Sequence, residues 1–528
     1  WTVVSGGVYV VCAAPPTPTP GMASVDLAFY GLWQRHFPDV DVRFCQLFTA
    51  DEQHRHRSPR QQQEFAAREA LPFAYHSCRN RLPALAAGRA VIFWGDFLHM
   101  AHYRQQLARR LVALGITPTL AEGIAAVDQH FFLADSPDGM LNQTLAFGGT
   151  LIFNCAADRL DPAYENLLRR WARQTRGIWM RDLFSARLIN RLRNDWSQSF
   201  LGVDCALLLE DASLAGLPRQ WAADPRAGTD CGVAGLFLSR NVVPQRLMLA
   251  FARAVCRARG VRAEWLPWRS SRFPEWPSRW AFPELARPVS TAPPALVDLL
   301  DRIRRYDFVI SDTYHVCVNA WRLGIPAICI GETWSRREMD VSCGVVGAWR
   351  DKRWVFYAMN EALEFYIHAG ELTRRRWRER RAAETAERLA SRPLLDLVRH
   401  GIQERAAAQQ LRMEFAPVLL RRLELVHALE NPLVRAFRHR HHRVILVLHR
   451  QIIKDALLRL IHPPDPFPDN HRQLIGVRRV IREQIRHGLR QNMAVPVLML
   501  QAFAVQRRPP RRAPDQEAAR PQVRRRPD

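Results

Sequence analysis

Three consecutive residues, Thr313, Tyr314 and His315, carry the first chemical signal in this chain. The apolar run "DFVIS" leads into Asp312, and "HVCVNAWRLG" follows with helical spacing. The three residues therefore sit beyond the carboxyl end of a strand and open a helix. A helix amino terminus offers free N–H groups and the positive end of the backbone dipole, which attract phosphate or carboxylate. A histidine there can donate a hydrogen bond to an anion, or a proton to a reacting group, near neutral pH. The position suits a capping or core-edge histidine equally well.

Other strand ends carry polar residues of matching use. Arg240 closes "GLFLSR" and by itself also reads as a surface residue of an arginine-rich chain. Glu332 follows the strand "IPAICIG" and is a candidate base toward a hydroxyl. Asp96 closes "VIFWGD" and is placed to orient a hydroxyl, while His99 and His102 behind it read as ordinary packing residues. Arg181 and Asp182 close "GIWMRD" and precede Ser185 at a helix start. That pair reads either as a substrate contact or as a structural pair with a helix cap. No cysteine or histidine cluster has zinc spacing, so no metal site is expected.

The elements that must position these residues alternate between strand and helix. The first half reads as strands at "GVYVVCA", "VDVRFCQLF", "RAVIFWGD", "GGTLIFNCA", "GIWMRD" and "GVDCALLLEDAS". Helices are expected at "SVDLAFYGLWQRHF", with Ser24 as a cap, at "PAYENLLRRWARQT" and at "LFSARLINRLR". A turn-rich break covers 216–229, and the pattern then restarts. Strands are expected at "CGVAGLFLSR", "VRAEWLPW", "DFVISD" and "IPAICIGE", with helices between them. "NEALEFYIHA" and "TRRRWRERRAAETAERLASR" read as closing helices. Such alternation argues for parallel α/β sheets, with ligands bound beyond the carboxyl ends of the strands. The expected division is a lobe over 1–215, a second lobe with the donor site over 230–390, and a basic helical extension with a disordered tail over 391–528.

Composition narrows the classes of function. Hydrophobic residues make up 48% of the 528 residues, enough for two or three packed domains. The net charge is +25. Only two of the 76 Lys and Arg residues are lysine, Lys352 and Lys454, which looks like a coding bias toward arginine. From Ser391 to Asp528 there are 27 basic and 12 acidic residues, so most of the excess lies there. That region includes "FRHRHHRVILVLHRQ", which suits an anionic membrane surface or a fused extension with little function of its own. The ten cysteines are scattered and read as reduced thiols of a cytoplasmic protein. "VYVVCAAPP" has a faint signal-segment look but lacks a basic leader, and reads as a first strand. The tryptophan-rich "EWLPWRSSRFPEWPSRW" reads as a stacking platform for sugar or nucleic acid, or as a loop packed over the second lobe.

Several of these segments together resemble the polysaccharide pyruvyl transferase family. "YDFVISDTYHVCVNAWRLGIPAICIGE" is similar to its C-terminal signature of strand, Arg-Leu-His and helix. "RGIWMRDLFSARLINRL" with "GVDCALLLEDAS" resembles an upstream segment through Arg181, Asp182, Ser185, Leu188, Gly202, Asp204 and Asp211. "AVIFWGDFLHM" is a weaker match to a strand ending in glycines. The resemblance implies two Rossmann-like lobes in a glycosyltransferase-B-like arrangement. It implies a bacterial enzyme of exopolysaccharide biosynthesis that moves a pyruvyl group from phosphoenolpyruvate to sugar hydroxyls as a ketal. The partners would be phosphoenolpyruvate, as donor rather than cofactor, and a glycan or lipid-linked acceptor. The location would be cytoplasmic or peripheral at the inner membrane. Residue by residue, it makes His315 the catalytic acid or phosphate ligand and Arg240 an anion clamp.

The sequence departs from the family at two places. Thr313 stands where the family has arginine and Tyr314 where it has leucine. In the loop "APPTPTPGMASVD" only Gly21 and Asp26 are loosely placed. Loss of the arginine leaves open a nucleotide-sugar glycosyltransferase that uses Glu332, and a scaffold that only binds glycan or anion. A nucleic-acid binder driven by the basic tail ranks last, because such binding does not need two α/β lobes.

Overall fold

A computed structural model describes residues 7–13, 19–49, 51–52, 71–85, 90–136, 138–152, 161–197, 200–219, 232–240, 243–268, 295–331 and 351–410. The chain divides into Trp1–Glu424 and Leu425–Asp528, and all described residues fall in the first part.

The first lobe is built on six parallel strands: β1 (Val8–Val11), β2 (Val42–Gln46), β3 (Tyr75–Ser77), β4 (Val91–Trp94), β5 (Thr144–Gly149) and β6 (Gly177–Met180). Their order across the sheet is β3-β2-β1-β4-β5-β6. The order reverses between β1 and β4, so a crevice opens there beyond the strand ends. Helices α1 (Pro20–His36), α2 (Ala101–Ala113), α3 (Leu120–Phe132), α4 (Pro162–Gln174) and α5 (Leu183–Arg193) cover the sheet. The alternation of β1 shows how both faces are buried. Val8 and Val10 join the core under α1, while Tyr9 and Val11 join a second core on the other face.

The second lobe has five parallel strands: β7 (Val233–Phe237), β8 (Arg262–Trp265), β9 (Phe308–Ser311), β10 (Ala327–Gly331) and β11 (Tyr366–His368). Their order is β11-β10-β9-β7-β8, with the reversal between β7 and β9. Helices α6 (Gln245–Arg259), α7 (Leu296–Ile303), α8 (Tyr314–Arg322), α9 (Lys352–Met359) and α10 (Arg375–Ala390) flank it. Residues 392–410 form a further helix that buries Leu395, Val398 and Ile402 in the shared core. Two parallel Rossmann-like sheets with flanking helices are thus the architecture that alternation and family resemblance implied.

Four local expectations change. The β5 strand runs over Thr144–Gly149, ahead of the "GGTLIFNCA" reading, because its partner is Val91–Trp94. "GVDCALLLEDAS" holds no strand: Cys205–Leu208 and Asp211–Leu214 are 3-10 turns, the first capped by Asp204. Ser24 is not a cap. Thr19 caps α1, with Pro20 at the first turn, and the Ser24 hydroxyl donates to the Gly21 carbonyl. "NEALEFYIHA" yields the edge strand β11 rather than a helix, since Tyr366 and Ile367 pair with Cys329 and Ile330.

The lobes meet along α1 and α8. Asn319 donates to the Ser24 hydroxyl across the seam at 3.1 Å. Gly21 lies against His315 so closely that a Cβ there would stand 2.4 Å from the His315 Cβ and Nδ1. A glycine is required where two elements approach this far. Gly21→Ala is expected to cost about 1–3 kcal/mol by overpacking this seam. The urea midpoint of the variant measures it, and an unchanged midpoint would show that the contact yields freely.

Candidate functional site

Strand ends from both sheets converge on one cluster. In the first lobe, Gly95 and Asp96 follow β4, both with positive φ, +72° and +48°. A left-handed aspartate costs about 1–3 kcal/mol unless its surroundings hold it. Here the Asp96 carbonyl accepts from the Thr150 N–H at 2.8 Å. Arg181 follows β6, fixed by its own N–H to the Gly149 carbonyl at 2.9 Å. The neighbouring Asp96 and Arg181 are both buried, 2% and 7% exposed.

Arg181 is the hub of the charges. Its Nη1 donates to Asp204 Oδ2 at 3.0 Å and stands 3.7 Å from Asp96 Oδ1. Its guanidinium lies 5.1 Å from the Phe97 ring centre and 5.2 Å from that of Tyr314. Burial opposes the charge, yet Tyr314, Asp204, Asp96 and Asp182 together hold its pKa above the ordinary value. Asp204 also accepts from the Tyr314 hydroxyl at 2.9 Å and from the Ala206 N–H. Burial alone would raise the Asp204 pKa, but Arg181, His315 and these donors hold it below the usual range. Burial and Asp204 in turn push the Tyr314 phenol well above its ordinary value, so it stays a donor.

From the second lobe, β9 delivers Asp312, Thr313, Tyr314 and His315. The Asp312 carboxylate accepts the Ser239 N–H at 2.9 Å and the Arg240 N–H at 2.7 Å. It thereby ties the end of β7 to the end of β9 across the sheet reversal. The Thr313 hydroxyl points to Asp312 and Ser239 rather than into the helix, so no side chain caps the first turn of α8. His315 is 8% exposed, and its Nε2 has no hydrogen-bond partner among the described residues. Its pKa is lowered to about 4, chiefly by burial; Lys352 and Arg181 lower it further, and Asp204 and Asp96 oppose them. In these surroundings the imidazole is therefore neutral near pH 7.

Of the candidates named from sequence, His315, Thr313, Asp96 and Arg181 come together here. The exposed Arg240 joins them at its backbone and acts electrostatically on Lys352. Asp182 does not join them. Its carboxylate accepts from the Ser185 N–H, the Ser185 hydroxyl and the Thr150 hydroxyl, so it is spent on capping α5. Glu332 lies outside the described residues, as do most of the tryptophan-rich segment and everything beyond 410. Within that segment, Trp265 and Trp268 are buried in the core. His99 is likewise a packing residue, stacked on Trp171 with ring centres 3.8 Å apart.

Two functional residues escape sequence reasoning. Asp312 reads in the sequence only as a strand end, with no sign that its carboxylate clamps a loop 72 residues away. Lys352, the first residue of α9, brings its Nζ within 4.6 Å of the Phe97 ring centre and 4.7 Å of Tyr314. One signal for it does exist: a lysine kept in a chain that otherwise uses arginine.

Residues 127–333 match the profile of the family described as polysaccharide pyruvyl transferase. This bears out the resemblance over that stretch, and the matched family is one of transferases. No curated protein matches the chain in sequence. Among solved structures, a UDP-GlcNAc 2-epimerase from Neisseria meningitidis bound to UDP-GlcNAc aligns at 10% identity and TM-score 0.43, covering 77% of this chain and 100% of that one. Phytolacca americana UGT2 complexed with UDP-2-fluoro-glucose and pterostilbene aligns at 12% identity and TM-score 0.37, covering 77% and 94%. Among the described residues, no group of His, Cys, Asp and Glu is arranged to hold a metal ion. No helix among them is long and apolar enough to cross a membrane.

Both Asp96 oxygens are buried without a hydrogen-bond partner among the described residues. An asparagine tolerates positive φ, whereas an alanine does not. Asp96→Asn should therefore keep the wild-type melting temperature, while Asp96→Ala should lose about 1 kcal/mol to backbone strain. Thermal unfolding of the pair checks this, and equal stability of all three proteins would remove the strain from the account.

Proposed function

We propose, on the premise that residues 127–333 are a polysaccharide pyruvyl transferase region, that the chain moves the pyruvyl group of phosphoenolpyruvate onto hydroxyls of a sugar in a surface-glycan precursor. One observation carries this reading. His315 Nε2, Arg181 Nη2 and both Asp96 carboxylate oxygens are buried at one cluster, and all lack hydrogen-bond partners among the described residues. Buried polar groups are nearly always satisfied, so a set of unsatisfied ones marks the outline of a ligand. Donors and a carboxylate side by side suit a ligand pair that is anionic at one end and hydroxylic at the other.

The roles follow from the groups. Arg181, Arg240 and the uncapped turn of α8 hold phosphate and carboxylate. Asp96 accepts the hydrogen of an acceptor hydroxyl. The hydroxyl oxygen bonds to C2 of the donor, C3 gains a proton to become a methyl group, and the bond from C2 to the phosphate oxygen breaks. A second hydroxyl closes the ketal, and the two hydroxyl protons are balanced by the methyl group and the released phosphate. His315 carries the proton. A bound dianion raises its pKa from about 4, so the imidazole becomes an acid only once the donor is present. The acceptor is a glycan or lipid-linked sugar, met in the cytoplasm or at the inner membrane surface.

Calorimetry on the full chain tests this. Phosphoenolpyruvate should bind with uptake of a proton, because His315 titrates higher in the complex than in the free protein. Affinity should then be strongest in acid and fall as pH rises from about 4 toward the pKa of the complex. His315→Gln should weaken binding roughly tenfold or more and reduce that proton uptake by the share His315 contributes. Binding of nucleotide sugars with none of phosphoenolpyruvate would overturn the donor and make the chain a glycosyltransferase.

A further inference from the structure

Lys352 is one of two lysines among 76 basic side chains. Its neighbour Arg353 has a plain structural role. The Arg353 Nη1 donates to the Asp312 carbonyl at 2.9 Å, and Nε donates to the Asp351 carboxylate at 2.7 Å. Lys352 has no such role. Its Nζ makes no hydrogen bond or ion pair among the described residues, and rests between the Phe97 and Tyr314 rings. The groups acting on it are Arg181 and Arg240, which repel its charge, and Asp96 and Asp204, which attract it. Asp204 is already engaged by Arg181 and Tyr314. The neutral His315 and the neutral Tyr314 phenol complete the surroundings. Three cations therefore act on a cluster in which, among the described residues, Asp96 is the carboxylate without a hydrogen-bond partner.

We propose that Lys352 is a binding residue for the anionic donor, its ammonium closing on a phosphate or carboxylate oxygen beside Arg181, Arg240 and the first turn of α8. It supplies the cation that Thr313 does not. The class of ligand, a compact phosphate- or carboxylate-bearing molecule, follows from the cations alone; only its identity as phosphoenolpyruvate rests on the pyruvyl-transfer reading.

The choice of lysine in an arginine-rich chain has a physical reason. A guanidinium stays charged before a ligand arrives and repels Arg181 and Arg240 throughout. An ammonium can shed its proton: burial first, then Arg181 and Arg240, lower the Lys352 pKa to about 7. An arriving anion restores the proton and the charge together. The aromatic slot suits a slender amine, because either ring face accepts the cation when it forms.

The two lysines make the test direct. Reductive methylation of the full chain, read by mass spectrometry, reports Lys352 with Lys454 as the internal reference. Lys352 should label with a midpoint near pH 7. Saturating phosphoenolpyruvate should slow that labelling roughly tenfold and leave Lys454 unchanged. Lys352→Met should weaken phosphoenolpyruvate binding by a similar factor. If phosphoenolpyruvate binds by calorimetry and labelling of Lys352 does not slow, the proposal is overturned while the pyruvyl-transfer reading stands. If phosphoenolpyruvate does not bind but inorganic phosphate or a nucleotide sugar protects Lys352, the anion role stands and that reading falls. Protection by none of the three overturns the role of Lys352.

Discussion

The Asp204 carboxylate is the interaction on which this molecule turns. It is buried, and it accepts from Arg181 of its own lobe and from Tyr314 of the other. Removing one partner of such a buried pair leaves a charge with nothing to balance it, at a cost of about 3–5 kcal/mol. The pair therefore does more than join two lobes. It fixes the guanidinium whose second nitrogen faces the site, and it fixes the phenol ring that flanks Lys352. Geometry at the crevice follows from a contact just behind it.

Charge at the site is arranged to be conditional. Arg181 is kept charged by its carboxylates, while His315 and Lys352 are both held toward their neutral forms by burial. Without a ligand, the pocket avoids the desolvation cost of several uncompensated charges. Under the pyruvyl-transfer reading proposed above, an anion reverses the balance for both groups, and binding and protonation become one event.

Much of the scaffold was legible because parallel strands buried on both faces read as short apolar runs, as in "VIFW" and "AICIG". Strand ends were legible too, which brought Asp96, Arg181, Arg240, Thr313 and His315 into view. Readings failed where an apolar run did not mean a strand. "CALL" is buried by packing under α1 and against α8, and closes a 3-10 turn instead. The β11 edge is three residues long and depends on β10 for its hydrogen bonds, so its own sequence carries little pattern. The bond from Tyr314 to Asp204 spans 110 positions, and spacing cannot announce it. Asp182 reads two ways in the sequence, as a substrate contact or as part of a structural pair with a helix cap, and its bond to the Ser185 N–H three residues on is the cap.

The attachment of α9 has an evolutionary corollary. Arg353 grips the Asp312 carbonyl, and Asp351 takes the Tyr366 hydroxyl at 2.9 Å and caps the helix. The register of Lys352 is thus set by residues on either side of it and by strands β9 and β11. A change at Arg353 or Asp351 would therefore displace the amine as surely as a change at Lys352 itself, and the three positions are expected to be inherited together.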